Sequence, residues 1–303
     1  MKRSSLQLFI TVLFACICTQ FSIVQAQEAL GSSIRRSGLH LVSRQFSFTE
    51  GPATDSKGNI YFTDQPNNKI WCYNTKGVLS VFKDTAGRSN GTYFDKQGNL
   101  ITCADENNEL WQINPSGKVK VLLSGFQGRK FNGPNDLWID AKGGIYFTDP
   151  YYQRSYWTRT KPDLEQQRVY YLPKGADSAI IVAEDVKTPN GIVGSADGKI
   201  LYVADFGKGK TFKYRISEDG RLSGQEIFTN MASDGMTIDG RGNLYLTGNG
   251  VTVFNSQGQK IDHIAVPEKW TANVCFGGKK RNILFITASE GVYVMKMKVK
   301  GVE

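Results

Sequence analysis

Two carboxylates and two amides stand at matching places in four separate segments of this chain. They are Glu50 in Phe48-Thr-Glu50-Gly-Pro52, Asn135 in Phe131-Asn132-Gly-Pro-Asn135-Asp136-Leu137, Asn190 in Thr188-Pro-Asn190-Gly191-Ile192, and Asp234 in Ala232-Ser233-Asp234-Gly235-Met236. Each lies just upstream of a short strand-like run. Asn-Gly and Asp-Gly are common turn dipeptides, so one such position alone would be read as a turn. Four at equivalent places are read as a shared site. Two carboxylates and two amide oxygens make a hard, all-oxygen set. That set suits calcium, or failing it magnesium or manganese, and does not suit zinc or copper.

A repeat supplies the elements that would bring these residues together. An Asp, two residues, a Gly and then an aromatic or β-branched run recurs. It reads Asp55-Ser-Lys-Gly58-Asn-Ile-Tyr-Phe-Thr-Asp64, then Asp95-Lys-Gln-Gly98-Asn-Leu-Ile-Thr102, then Asp140-Ala-Lys-Gly143-Gly-Ile-Tyr-Phe-Thr-Asp149. Ser195-Ala-Asp197-Gly198, Asp239-Gly-Arg-Gly242 and a degenerate copy over residues 280–287 complete the series. A polar turn followed by a strand is a hairpin signal. Most copies are followed by a second strand and turn. Units of 40 to 55 residues with several short strands are propeller blades. Six copies predict an all-β, six-bladed β-propeller with a central metal site. The stretch Leu39 to Phe48 is expected to close the last blade against the first and so cover an open sheet edge. The turn acids Asp55, Asp95, Asp140, Asp197 and Asp239 are read as turn caps rather than ligands. In a closed ring, Glu50, Asn135, Asn190 and Asp234 converge near the axis.

The phrases Phe-Thr-Glu-Gly-Pro, Asn-Gly-Pro-Asn-Asp-Leu with Tyr-Phe-Thr-Asp-Pro after it, Pro-Asn-Gly-Ile and Ser-Asp-Gly-Met resemble the senescence-marker-protein/gluconolactonase family, which includes regucalcin and bacterial gluconolactonases. The resemblance spans roughly residues 40 to 298. Thr271-Ala-Asn273-Val-Cys-Phe-Gly-Gly278 is similar to the bacterial branch. The resemblance implies a calcium-dependent hydrolase that opens sugar lactones. It implies that Glu50, Asn190 and Asp234 hold the metal, that Asn135 holds metal or substrate, that Asp234 is the catalytic base, and that Asn273 is a further pocket residue. One departure stands out. Animal members carry a substrate arginine where this chain has Gly133, so a preference for gluconolactone itself does not carry over.

The chemistry expected is carbonyl polarisation by the cation and removal of a proton from water by Asp234. The longest interval between copies holds Asp149-Pro-Tyr-Tyr-Gln-Arg-Ser-Tyr-Trp-Thr-Arg159. Its aromatics and arginines suit stacking on sugar rings and gripping hydroxyls. Tyr151, Tyr152, Arg154, Tyr156 and Trp157 are read as a substrate lid, against the plainer reading of a long hairpin packed on the ring. Tyr151 and Arg154 are the expected substrate contacts.

Other classes are poorly served. His40 and His263 are the only histidines, and no G-x-S-x-G elbow accompanies them, which argues against a Ser-His-Asp triad. A histidine zinc site is equally disfavoured. Both histidines read as ordinary strand residues. The net charge of +9 is scattered and forms no stripe suited to nucleic acid. Residues 1–26 read as a signal peptide with Lys2 and Arg3, an apolar core from Leu6 to Phe14, and a Val24-Gln25-Ala26 cleavage site. That leaves 27–303 as one propeller domain, exported to the periplasm or the cell exterior. A lipoprotein alternative would use Cys16. No later run is long enough to span a bilayer. Cys72, Cys103 and Cys275 read as buried thiols rather than disulfide partners. Two other functions stay open: an aryl-ester or organophosphate hydrolase on the same site, and a metal-binding propeller without catalysis.

Overall fold

The computed structural model describes residues 34–302. The expected leader over 1–26 and Cys16 lie outside the described residues. Twenty-four strands form six four-stranded antiparallel sheets, and the described residues contain no helix. The architecture is the six-bladed β-propeller that the repeat predicts. The first strand of each sheet packs against the first strands of the neighbouring sheets, so these six strands line the axis. We number the blades by these innermost strands: Thr49–Thr54, Ser89–Phe94, Leu137–Ile139, Pro189–Gly194, Met236–Ile238 and Asn273–Gly277.

Blade 6 takes its outermost strand from the other end of the chain. His40–Ser43 pairs antiparallel with Gly291–Lys296 through His40 and Val294, and Leu41 and Tyr293. The closing segment lies where the sequence places it, with four residues rather than ten in the strand.

The turn acids behave as caps. Asp95 Oδ1 accepts from the backbone N–H groups of Gln97 at 2.9 Å and Asn99 at 2.8 Å. Asp55, Asp140 and Asp239 repeat the pattern. In blade 4 the turn opens on Ser195, whose hydroxyl bonds Asp197 at 2.6 Å.

Two devices hold blade to blade. Aromatic rings meet edge to face across the gaps, as in Tyr61 with Phe94 at 5.0 Å and Tyr245 with Phe276 at 5.2 Å, a favoured geometry. Threonines on the second strands donate to backbone carbonyls of the next innermost strand or the residue before it. Thr63 reaches Asn90 O at 3.1 Å, Thr148 reaches Asn190 O at 2.8 Å, and Thr247 reaches Ala272 O at 2.7 Å. These bonds seat the segments that carry the polar residues. No disulfide joins Cys72, Cys103 and Cys275. His40 and His263 both sit on outermost strands.

Candidate metal and substrate site

The innermost strands approach one another closely at the axis, and Glu50, Asn90, Asn190 and Asp234 are each followed by glycine. A β-carbon on Gly191 would lie 2.6 Å from Asp234 O, and one on Gly91 2.6 Å from Asn135 O. Glycine at these places lets each blade lean on the next. The backbone bond from Gly91 N to Asn135 O, at 2.7 Å, has its counterpart in Gly235 N to Ala272 O at 2.8 Å. Together these contacts fix a ring of equivalent positions: Glu50, Asn90, Asn135, Asn190, Asp234 and Ala272. Five of the six are polar.

Glu50, Asn90, Asn135, Asn190 and Asp234 all line one pocket of about 670 Å³. The structure therefore brings together all four residues singled out from the sequence and adds Asn90. Asn90-Gly91 is the same kind of dipeptide as Asn190-Gly191, and that signal was available in the sequence. Trp270 and Phe206 also line the wall. Neither belongs to the repeat, so only the folded ring reveals them.

The electrostatics are those of a set short of positive charge. Glu50 is buried, and burial pushes its carboxyl well above the usual range, with the negative charges of Asp234 and Asp136 adding to the effect. Its Oε2 accepts from Gly51 N at 2.7 Å and Asn273 Nδ2 at 3.3 Å. Asp234 opens to the pocket but is hemmed in by protein. That enclosure pushes its carboxyl up to about 6 against the pull of Trp270, Asn190 and Arg154. Trp270 Nε1 donates to Asp234 Oδ2 at 2.6 Å. Asn190 Nδ2 donates to the Tyr152 hydroxyl at 3.2 Å, while Asn190 Oδ1 is buried and has no partner. A buried amide oxygen left bare costs free energy. An oxygen-seeking cation would satisfy it and would also offset the repulsion between the two carboxylates. Among the described residues no three acidic, histidine or cysteine side chains form a ligand cluster. The donor set therefore depends on amide oxygens, which suits a hard divalent ion.

Asn273 lies elsewhere than expected. It occupies the blade-6 counterpart of the glycine position, one step past the ring. There it sits beneath the pocket, bonded to Glu50 and to the buried Asp136. It supports the site and is not part of the pocket wall. Burial holds Asp136 up to about 7. Tyr152 and Arg154 do line the wall. Tyr151 does not: its hydroxyl bonds Gln153 and its ring lies 5.9 Å from Trp157. Tyr156 and Trp157 do not line the wall and instead bond Asp105.

Over residues 48–290 the sequence matches the SMP-30/gluconolactonase/LRE-like region family. The chain belongs to that family. It is 25% identical over 296 aligned residues to a gluconolactonase of Zymomonas mobilis, spanning 87% of this chain and 82% of that protein. A solved gluconolactonase of Xanthomonas campestris superposes with a TM-score of 0.80 at 26% identity, covering 88% of this chain and 95% of the other. A regucalcin of Agrobacterium tumefaciens, described as a calcium-binding protein, superposes with a TM-score of 0.72, covering 88% of this chain and 95% of the other. At 18% identity that likeness is one of fold.

Proposed function

We propose that this chain is a hydrolase that opens sugar lactones with the help of a divalent cation, calcium before magnesium or manganese. The observation that carries the reading is the convergence of Glu50, Asn135, Asn190 and Asp234 on one pocket, with Asn190 Oδ1 buried and bare. Lactone hydrolysis is supported by the gluconolactonases of Zymomonas mobilis and Xanthomonas campestris, and calcium by the all-oxygen donor set of the pocket.

Glu50, Asn190 and Asp234 would hold the cation, with Asn135 shared between cation and substrate. Bound there, a divalent ion would supply Lewis acidity to the lactone carbonyl and stabilise the charge on its oxygen as the carbonyl carbon becomes tetrahedral. The protein supplies the base. In the cation-free protein, enclosure pushes the Asp234 carboxyl up to about 6. A cation beside it would favour the ionised form, leaving at neutral pH a carboxylate positioned to accept a proton from attacking water. Trp270 fixes the orientation of that carboxylate through its 2.6 Å bond. Phe206, Trp270 and Tyr152 give the pocket aromatic walls, which suit the faces of a sugar ring. A sugar lactone is already activated, so this modest machinery is enough.

The aryl-ester and organophosphate reading wants a histidine in the pocket. No lining residue is histidine, so the lactone reading is favoured. A propeller that only binds metal has no use for the aromatic walls. We also propose that the chain is exported, from the leader pattern over residues 1–26.

The test is hydrolysis of a small panel by the purified protein, followed with a pH indicator, with calcium and with chelator. Gluconolactone, galactonolactone, an arabinonolactone, an aryl ester and an organophosphate make up the panel. Calcium-dependent turnover of a sugar lactone is expected. Turnover of the aryl ester or organophosphate alone would replace the reading.

A further inference from the structure

Three blades end their second strand at an acid, while blade 2 ends its own at Ala104 and carries the acid Asp105 one residue further on. In blade 1, Asp64 accepts from the N–H groups of Ser47 and Phe48. In blade 3, Asp149 accepts from Asn132 and Gly133, and in blade 4 Asp205 accepts from Lys187 and Thr188. Each of these acids ties down the backbone that leads into its own innermost strand. Asp105, one residue past the corresponding position of blade 2, accepts no backbone N–H. Three side-chain donors from other blades converge on its Oδ2 instead: Arg154 Nε at 2.9 Å, the Tyr156 hydroxyl at 2.5 Å and Gln65 Nε2 at 3.1 Å. Trp157 Nε1 donates to the Asp105 carbonyl at 2.8 Å. The Asp105 side chain is only 3% exposed.

Arg154, Tyr156 and Trp157 all come from the long link of blade 3 over residues 150–167, which has no strand of its own. The link crosses from blade 3 to blade 2 and is pinned there at one residue. Arg88 lies over the Tyr156 ring at 4.4 Å and reinforces the pin. Gly133 belongs to the same arrangement. A β-carbon there would come within 3.1 Å of Trp157 and 3.2 Å of Asp105 Oδ1. The bare backbone at 133 leaves the room in which the link docks. The result is a guanidinium held at the pocket wall by its Nε, with no described residue bonded to its terminal nitrogens.

We infer that Asp105 is a positioning residue for substrate specificity: it locks the 150–167 link onto blade 2 and so fixes Arg154 as the donor that reads the ring hydroxyls of a polyhydroxylated lactone. This rests on the lactone-hydrolase reading for the identity of the substrate. The lock itself does not. A guanidinium held through Nε presents its remaining N–H donors in a fixed fork, and pre-organisation of this kind lowers the cost of gripping substrate. An unsubstituted lactone offers nothing for the fork to bind.

The test uses the full protein with calcium, a polyhydroxylated aldonolactone and δ-valerolactone as a ring without hydroxyls. Asp105→Asn keeps the shape of the residue and removes the charge that holds Arg154. It should raise KM for the aldonolactone by about tenfold, the scale of a lost charged hydrogen bond, while kcat and the δ-valerolactone KM change little. Trypsin should cut the variant after Arg154 or Arg159 faster than the wild type. Arg154→Lys, which leaves the Asp105 corner intact, should reproduce the selective KM change and cover the case in which Asp105→Asn folds poorly. An unchanged aldonolactone KM in both variants would overturn the inference, and so would equal rises for both lactones. Wild-type protein that turns over neither lactone would overturn the substrate assignment through the reading beneath it. Faster tryptic cutting of Asp105→Asn in that case would still establish the lock.

Discussion

Asp95 and Asp234 are the same residue type at opposite ends of innermost strands, one just after a strand and one just before. Asp95 is saturated. Its two oxygens accept from Gln97 N, Asn99 N, Asn99 Nδ2 and Gln112 Nε2 at 2.8 to 3.1 Å. Asp234 has Trp270 Nε1 at 2.6 Å and the pull of Asn190, faces Glu50 across the pocket, and is pushed up to about 6. The first acid completes a turn. The second is held in a state that the fold alone does not favour. What separates a structural carboxylate from a functional one here is whether the local backbone already meets its needs, because a buried or enclosed charge without that support costs stability unless a ligand supplies it.

Asp234→Asn tests this contrast most severely. The amide keeps an oxygen for Trp270 but cannot take a proton from water. Lactone turnover should fall about 10²–10⁴-fold, the range for losing a general base. In chelator at pH 8 the variant should melt at the same temperature as the wild type or higher, because one of two repelling carboxylates has gone. A clear drop in Tm would show that Asp234 is structural after all, and the contrast with Asp95 would collapse.

The next effect is one of pH. Asp234 is lifted from 3.8 to about 6, and Glu50 is lifted as well. An acid raised in the folded state makes that state bind more protons than the unfolded chain between the two values. Its contribution to stability is present below 3.8 and is lost as pH rises through about 6. Cation-free protein should therefore lose Tm on going from pH 5 to pH 7. Calcium should restore it, and its affinity should rise about tenfold per pH unit below 6, since a ligand must shed its proton first. Titrations of Tm against calcium at pH 5, 6 and 7 would check both slopes. A calcium affinity independent of pH over this range would mean that these carboxylates are not the ligands.

The fold was legible because the repeat is written twice, once in the Asp-x-x-Gly turns and once in the strands behind them. The strand that closes blade 6 could be anticipated because a ring needs its edge covered. The four converging residues were legible because the ring maps equivalent positions onto one axis. Asn90 obeys the same rule, but its segment, Ser89-Asn90-Gly91-Thr92, has no proline or acid to mark it. Asn273 was displaced by a single register step, which moves a side chain from the pocket wall to beneath it. Trp270, Phe206 and Asp105 could not be read at all. Their roles come from contacts between blades 1 to 5, far apart in sequence, and nothing in their local patterns differs from ordinary loop or strand-end residues.

The smallest effect lies on the saturated side of the comparison. Asp95→Ala strips the turn after the second innermost strand of its acceptor and leaves the N–H groups of Gln97 and Asn99 to water. Losing such bonds costs about 1–2 kcal/mol, a Tm decrease of a few degrees for a domain of this size. Asp95→Asn keeps the oxygen that the turn uses and should recover most of the loss, because an asparagine closes the same kind of turn. Neither variant should alter calcium binding or lactone turnover. If Asp95→Ala instead weakened calcium affinity as Asp234→Asn would, the two ends of the strand would be coupled through the sheet. The turn acids would then have to be counted among the residues that shape the site.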